Sequence, residues 1–294
     1  MQPTVAEAIA LQEELRLIVD TTDRDSGVPR YVAGLDVAYD GDEYVAAVVV
    51  LARVESLPGP DGPGADSPGA DRPGADRPGA DRPGAENPGA ENPGADVPGA
   101  DGPGTNRPGA DGPGANVSGY DGPEMKRADG GLAAGLREVD RAVVRGRTSF
   151  PYVPGLFAFR EVPGLVAALE RLRVTPDLLV CDGQGLAHPR RFGLACHLGV
   201  VTGLPSIGVG KTAFVGDWEE PGPERGAASD LVLEGEVVGK VPRTQNKTKP
   251  VFVSVGHLVS LGTAVERVLE LAPRFRLPET TRMADRACRD GLAG

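Results

Sequence analysis

Residues 177–185 read DLLVCDGQG, and this stretch decides the fold. Leu178, Leu179, Val180 and Cys181 are all apolar, the pattern of a short strand buried on both faces. The glycine-rich turn after Asp182 leads towards an expected helix at 189–201, and Ser206 opens a further short strand at 206–209. Before it, Pro163 is read as the start of a helix through LVAALERLRV, because proline suits a first helical turn. Towards the N-terminus, residues 31–39 (YVAGLDVAY) and 43–54 (EYVAAVVVLARV) are rich in β-branched and apolar residues and separated by a short Gly-Asp turn. They predict an antiparallel hairpin, to which 136–148 adds a third strand. Thr4 with Glu7 forms a capping-box signature for a helix over 5–19. Further on come a hairpin at 231–241, a strand at 250–255 and a helix at 261–271. The expected class is α/β: a mixed sheet of three antiparallel strands and then parallel ones, with helices on its faces.

Between the second and third strands the chain counts in fives. Residues 58–117 run PGPDG, PGADS, PGADR and on through PGANV. Proline at every fifth position is incompatible with helix interiors and sheet ladders, and almost no side chain there is larger than alanine, so burial cannot offset the ordering entropy. The expectation is a disordered low-complexity insert at 58–122 within one domain formed by 1–57 and 123–294. The whole chain holds 42 glycines and 28 prolines among 294 residues, about twice the usual share. Residues 58–122 hold 11 acidic and 4 basic residues, so −7 of the net −11 belongs to the insert. A tolerated loop expansion explains it, since loop length costs little; an acidic tether or scaffold working through the repeats is the other reading.

Several classes drop out. No apolar run is long enough for a membrane helix, and the start MQPTVAEAIALQEEL lacks the basic region of a secretory signal. Three scattered cysteines make no disulfide framework. A cytoplasmic, monomeric protein is expected.

Ligands of such sheets bind beyond the carboxyl ends of strands, where Asp182 falls. Asp36 lies between apolar neighbours within the first strand, and Glu161 follows the apolar stretch GLFAF. Buried acids must be paired, hydrogen-bonded or metal-bound. Three oxygen donors from three segments suit Mg²⁺ or Mn²⁺, and two such ions can clamp the oxygens of a phosphodiester displacement; salt-bridged or edge acids are the alternative. His188 could polarise water or hold a phosphate, or else cap the next helix. Lys211 could reach a phosphate or be solvated. Cys181, His188, Cys196 and His197 cluster in sequence, but without the close ligand pairs of a zinc site. Lys240, Arg243, Lys247 and Lys249, with Arg190 and Arg191, form a local basic strip able to meet a phosphate backbone.

The blocks YVAGLDVAYD, PYVPGLFAFRE, LLVCDGQGLAHPRRFGLACHLGV, GVGK and VFVSVGHLVSLGTAVERV, with the tail LPETTRMAD, resemble the endonuclease V family, the deoxyinosine 3′-endonucleases. The resemblance runs from about residue 5 to 284 apart from the insert. It implies a ribonuclease H-like fold and Mg²⁺-dependent hydrolysis of the second phosphodiester bond 3′ to deoxyinosine in damaged DNA, leaving 3′-hydroxyl and 5′-phosphate ends. Inosine-containing RNA is the alternative substrate. Asp36, Glu161 and Asp182 match the family's metal carboxylates, and His188 and Lys211 its active-site His and Lys. Tyr152, within Pro151, Val153 and Pro154, matches the strand-separating wedge. Gly183, Gly185 and Gly208 are the expected walls of a base pocket, glycine permitting close approach.

Overall fold

The computed structural model describes residues 3–24, 27–53 and 135–294. The pentad stretch, its expected disorder and the boundaries drawn around it lie outside the described residues. Strands β1 (Tyr31–Asp40), β2 (Glu43–Arg53) and β3 (Leu136–Arg147) pair antiparallel in the order β3-β2-β1. Gly41, at φ +60°, makes the turn between β1 and β2. Arg53 pairs with Leu136, so the described chain stops and resumes at facing positions on neighbouring strands.

The second half follows as α2 (Ala158–Leu169), β4 (Leu178–Cys181), α3 (Leu194–Thr202) and β5 (Ser206–Gly210). β4 lies parallel to β1, and β5 parallel to β4. β6 (Asp217–Trp218), β7 (Ala228–Leu233), β8 (Glu236–Pro242) and β9 (Phe252–His257) complete the sheet, with β9 antiparallel to β5. Helices α4 (Leu261–Leu271) and α5 (Glu279–Ala293) close the chain, and α1 (Val5–Leu15) opens it.

Period-two alternation divides the core into two layers. Val45, Ala47, Val49 and Leu51 of β2 face α4 and α5, meeting Ala264, Val268, Ala284 and Cys288. Ala46, Val48 and Val50 face the other way, onto Ala158, Val162, Leu165 and Ala168 of α2 and Leu198 of α3. Three antiparallel strands continued by two parallel ones, with helices on both faces, is the ribonuclease H-like arrangement.

Three expected helix boundaries move, and the 3-10 turn after α1, β6 and α5 were not expected. α2 begins five residues before Pro163, which therefore sits inside the helix. There its missing N–H leaves the Phe159 carbonyl without the usual helical donor. α3 starts at Leu194 instead of near Pro189, because Arg191 takes a left-handed φ of 54° that breaks any earlier helix. α1 ends at Leu15 and tightens into a 3-10 turn, Arg16–Ile18. Helix α5 packs on β1 and β2, where Gly34 makes room: a Cβ there would stand 2.1 Å from the Thr280 carbonyl oxygen.

Candidate active site

The parallel pairing of β1 with β4 ends at Leu35 opposite Cys181. The Asp182 amide still donates to the Leu35 carbonyl at 3.1 Å. Asp36 and Asp182 are thus the next pair of residues, Asp36 still within β1 and Asp182 just past the end of β4. Glu161 comes from the first turn of α2, on the same stripe as Ala158, Val162 and Leu165, which carries its carboxylate into the protein. Only 7% of Glu161 is exposed. The helix N-terminus is a favourable place for a negative charge.

The three acids lie within one another's electrostatic field, and Glu161 and Asp182 line one pocket. Burial pushes the Asp36 carboxyl up to about 7, and the neighbouring Asp182 charge adds to the effect. Burial holds Glu161 well above the usual carboxylate range, with further repulsion from Asp36 and Asp182. Such mutual repulsion is the mark of a site short of positive charge. Lys211, just past β5, supplies one: its Nζ lies 2.5 Å from Asp182 Oδ2. Burial alone would lower the Lys211 ammonium, but the Asp182 carboxylate outweighs this, helped by Asp36 and Asp285, and raises it above its ordinary value. Asp285 of α5 is thus a fourth acid in the field of Asp36 and Lys211. The sequence held a signal for it in the LPETTRMAD block, yet its role needed α5 to be folded against β1. Among the described residues no group of three or more His, Cys, Asp or Glu has the geometry of a metal cage as placed. The donor set itself fits a hard dication: carboxylate oxygens, raised proton affinity at Asp36 and Glu161, and Lys211 as a neutralising charge.

Beside the acids opens a pocket of about 280 Å³, near the small end of ligand sites. Glu161, Asp182, Gly183, Gln184 and His188 line it, and Tyr152, Val153, Pro154 and Phe157 form part of its wall. Tyr152 is 72% exposed and meets Phe157 edge-on, with ring centroids 5.7 Å apart. Pro151 is exposed next to it but is not part of the wall. The loop carrying Tyr152 is fastened from below at the Gly155 carbonyl. That oxygen accepts from Gln12 Nε2 at 3.0 Å, His188 Nε2 at 3.0 Å and Arg190 Nη2 at 2.6 Å. Gln12 of α1 is fully buried and also accepts from Arg190 Nε. Sequence reading missed its part, because nothing in a lone helical glutamine shows a contact 143 residues away.

His188 lines the pocket and is tied to the loop and to its own chain. Its Nε2 faces the Gly155 carbonyl and its Nδ1 accepts from the Arg190 amide at 3.2 Å. Both nitrogens are engaged, and the N-cap of α3 is Gly193, not His188. Burial, with the nearby Arg190 charge, drops it to about 4 and keeps it neutral. Of the three glycines, Gly183 lines the pocket, whereas Gly185 and Gly208 do not. The Gly185 amide donates to Ser254 Oγ at 2.8 Å, and a Cβ there would meet the Val255 carbonyl oxygen at 2.0 Å. Gly208 lies against the back of the 183–185 turn, 2.5 Å from the Gly185 nitrogen to its would-be Cβ. These two let strands and turn pack; they do not touch the cavity.

The basic strip also resolves into separate parts. Arg243 is buried and donates to the Gly222 and Pro221 carbonyls and to Glu220. Arg191 is bound to Glu234, Glu236 and the Leu233 carbonyl, and Lys240 to Asp230. Arg190 holds the Tyr152 loop. Lys247 and Lys249 stay exposed. Cys181 and Cys196 are buried in β4 and α3 as free thiols. No described helix is long and apolar enough to cross a membrane.

The family model for endonuclease V matches residues 132–286. The chain is also 34% identical to endonuclease V of Trichormus variabilis over 283 residues, which covers 96% of this chain and 93% of that one. The chain belongs to the endonuclease V family. Endonuclease V of Nocardia farcinica is 65% identical over 159 residues, 54% of this chain and 70% of the relative. Among solved structures, endonuclease V of Streptomyces avermitilis matches with a TM-score of 0.68 and 39% identity, covering 99% of this chain and 93% of that one. The fold is shared with Ciona intestinalis endonuclease V at a TM-score of 0.62 and 23% identity, over 98% of each chain; that protein was crystallised with a DNA containing an inosine followed by a ribo-adenosine.

Proposed function

We propose that this protein is a repair endonuclease that hydrolyses DNA at the second phosphodiester bond 3′ to deoxyinosine, leaving 3′-hydroxyl and 5′-phosphate ends. The observation that carries the reading is the pairing of Glu161 and Asp182 in one pocket, with Asp36 in their electrostatic field and an exposed tyrosine at the rim. Family membership supports the nuclease class, and the inosine-containing DNA bound by the Ciona relative supports the substrate.

In this reading Asp36, Asp182 and Glu161 hold Mg²⁺, with Mn²⁺ as a substitute. The ion would activate water and neutralise the phosphate. The chain's own residues do the rest. Tyr152 fills the space left by the extruded base, lowering the unstacking cost. The pocket between Gly183 and Phe157 takes the purine. Gln12, His188 and Arg190 keep the Tyr152 loop fixed, so the phosphate beyond the lesion meets the acids in one register. Lys211 balances charge that builds at the phosphate.

The test is nicking of a duplex with a single deoxyinosine, in Mg²⁺ or EDTA, by wild type and Asp36→Ala. Metal-dependent cutting one nucleotide beyond the lesion, lost in the variant, is expected. A folded wild type that leaves this duplex intact but cuts inosine RNA would move the substrate to RNA, and cutting of neither would overturn the reading.

A further inference from the structure

The loop between α4 and α5 carries a surface that the site above does not use. Phe275 is 43% exposed. The Arg282 guanidinium sits over its ring at 3.6 Å, and that of Arg274 lies 5.6 Å from the ring centroid. Both arginines reach one carboxylate, the buried Glu279, at 2.8 Å and 3.6 Å. Two cations sharing one anion leave a net positive charge, and both arginines remain open to solvent, Arg274 at 54% and Arg282 at 36%. A part-exposed aromatic ring beside two guanidinium groups offers ring surface and several outward N–H donors, the pairing that suits nucleic-acid backbone and bases.

Its location ties this surface to the candidate active site. Arg276, the next residue after Phe275, donates to the Lys211 carbonyl at 2.6 Å and to the Pro250 and Lys249 carbonyls at 2.8 Å and 3.0 Å. Arg282 lies one turn before Asp285 on α5, so the two are neighbours along the helix surface. None of Arg274, Phe275 and Arg282 lines the pocket. The order of neighbours is therefore pocket, Asp182, Lys211, and then this platform.

We infer that Arg274, Phe275 and Arg282 form a binding surface for the nucleic-acid strand 3′ of the cut, with the arginines on its phosphates and the Phe275 ring beneath it. This rests on the proposed endonuclease reading, which puts the lesion in the pocket and the scissile phosphate at the acids. The strand then leaves past Lys211. Glu279 is the positioning residue, holding the two guanidinium groups beside the ring.

The experiment compares the full chain with Arg274→Gln, Arg282→Gln and the double variant. Each is titrated with a fluorescent duplex containing one deoxyinosine over a series of salt concentrations, and hydroxyl-radical footprints are taken on the same duplex. In the double variant the slope of log affinity against log salt should fall by about 0.9 per lost phosphate contact, roughly 2 in all. Protection should vanish only on phosphates 3′ of the cut, and duplexes truncated just past the cut should bind wild type and variant equally. An unchanged slope and footprint, or a loss spread evenly over the duplex, would overturn the inference. Arg282→Gln leaves Glu279 short of a partner; if its melting temperature falls, the exposed Arg274→Gln alone decides, with an expected slope change of about 1. A wild type that neither binds nor nicks the deoxyinosine duplex would instead sink the endonuclease reading.

Discussion

Lys211 Nζ lies 2.5 Å from Asp182 Oδ2, so the ammonium acts as the counter-charge to three crowded acids. A lysine so placed can turn from carboxylate to phosphate once a metal ion takes over its neutralising work. Lys211→Met should therefore keep the fold and the metal dependence but lower the single-turnover nicking rate by about 10²–10³, the usual effect of removing a charge-stabilising group. A rate within threefold of wild type would show that the lysine is only a surface ion pair.

Asp36 trades stability for function. Its carboxyl is raised to about 7 by burial and by Asp182. An acid raised in the folded state binds protons that the unfolded chain has lost, so it subtracts stability as pH rises from 3.8 to about 7. Asp36→Asn should abolish nicking yet raise metal-free stability at pH 8 by about 2 kcal/mol, after discounting for partial solvation. Denaturant melts of both proteins with EDTA and with Mg²⁺ test this, and the gain should shrink when the ion is present.

Tyr152 has little to do with the fold, being mostly exposed and edge-on to Phe157. Tyr152→Ala should leave thermal stability almost unchanged. It should slow cleavage of duplex deoxyinosine by about 10- to 100-fold, the equivalent of one lost stacking contact. The defect should be smaller on single-stranded DNA, where no partner strand must be parted.

His188 and His197 predict acid sensitivity. Burial lowers both to about 4, with Arg190 adding to the effect at His188. His197 is wedged between the rings of Phe159 and Phe192. Between pH 6.5 and about 4 the unfolded chain takes up protons that these native side chains refuse. The stability contributed by these two histidines is then complete above 6.5 and falls as pH drops, by at most about 1.4 kcal/mol per pH unit for each, against the opposite drift from Asp36. His197→Phe should flatten that slope in melts from pH 7 to 4.5.

Gly34 sets how closely α5 approaches β1, since a Cβ would collide with the Thr280 backbone. Gly34→Ala should destabilise the protein by about 1–3 kcal/mol. It should also slow nicking by moving Asp285 away from Asp36. Normal activity at normal stability would mean that α5 can shift without consequence to the acids.

The sequence by itself determined most strands of the sheet, though neither β6 nor the strand order. Apolar runs with period two, the short turn after Asp40 and the isolated LLVC strand are local signals, because strand faces and turns are written within a few residues. It also named the acids, since an acid among apolar neighbours stands out wherever it folds. What only the tertiary structure decided were relations between distant segments. The grouping of Asp36, Glu161 and Asp182 in one electrostatic field depends on the register of β1 with β4 and on α2 starting before Pro163. Asp285 became part of the site only when Gly34 let α5 sit against β1. His188 is tied to the Tyr152 loop because the Gly155 carbonyl, 33 residues away, reaches its Nε2. Arg190, Arg191 and Arg243 left the basic strip once their carbonyl and carboxylate partners were in place, whereas Arg274 and Arg282 gained a role around Phe275. A side chain's partners lie across the fold rather than along the chain, and a linear pattern carries no measure of that distance.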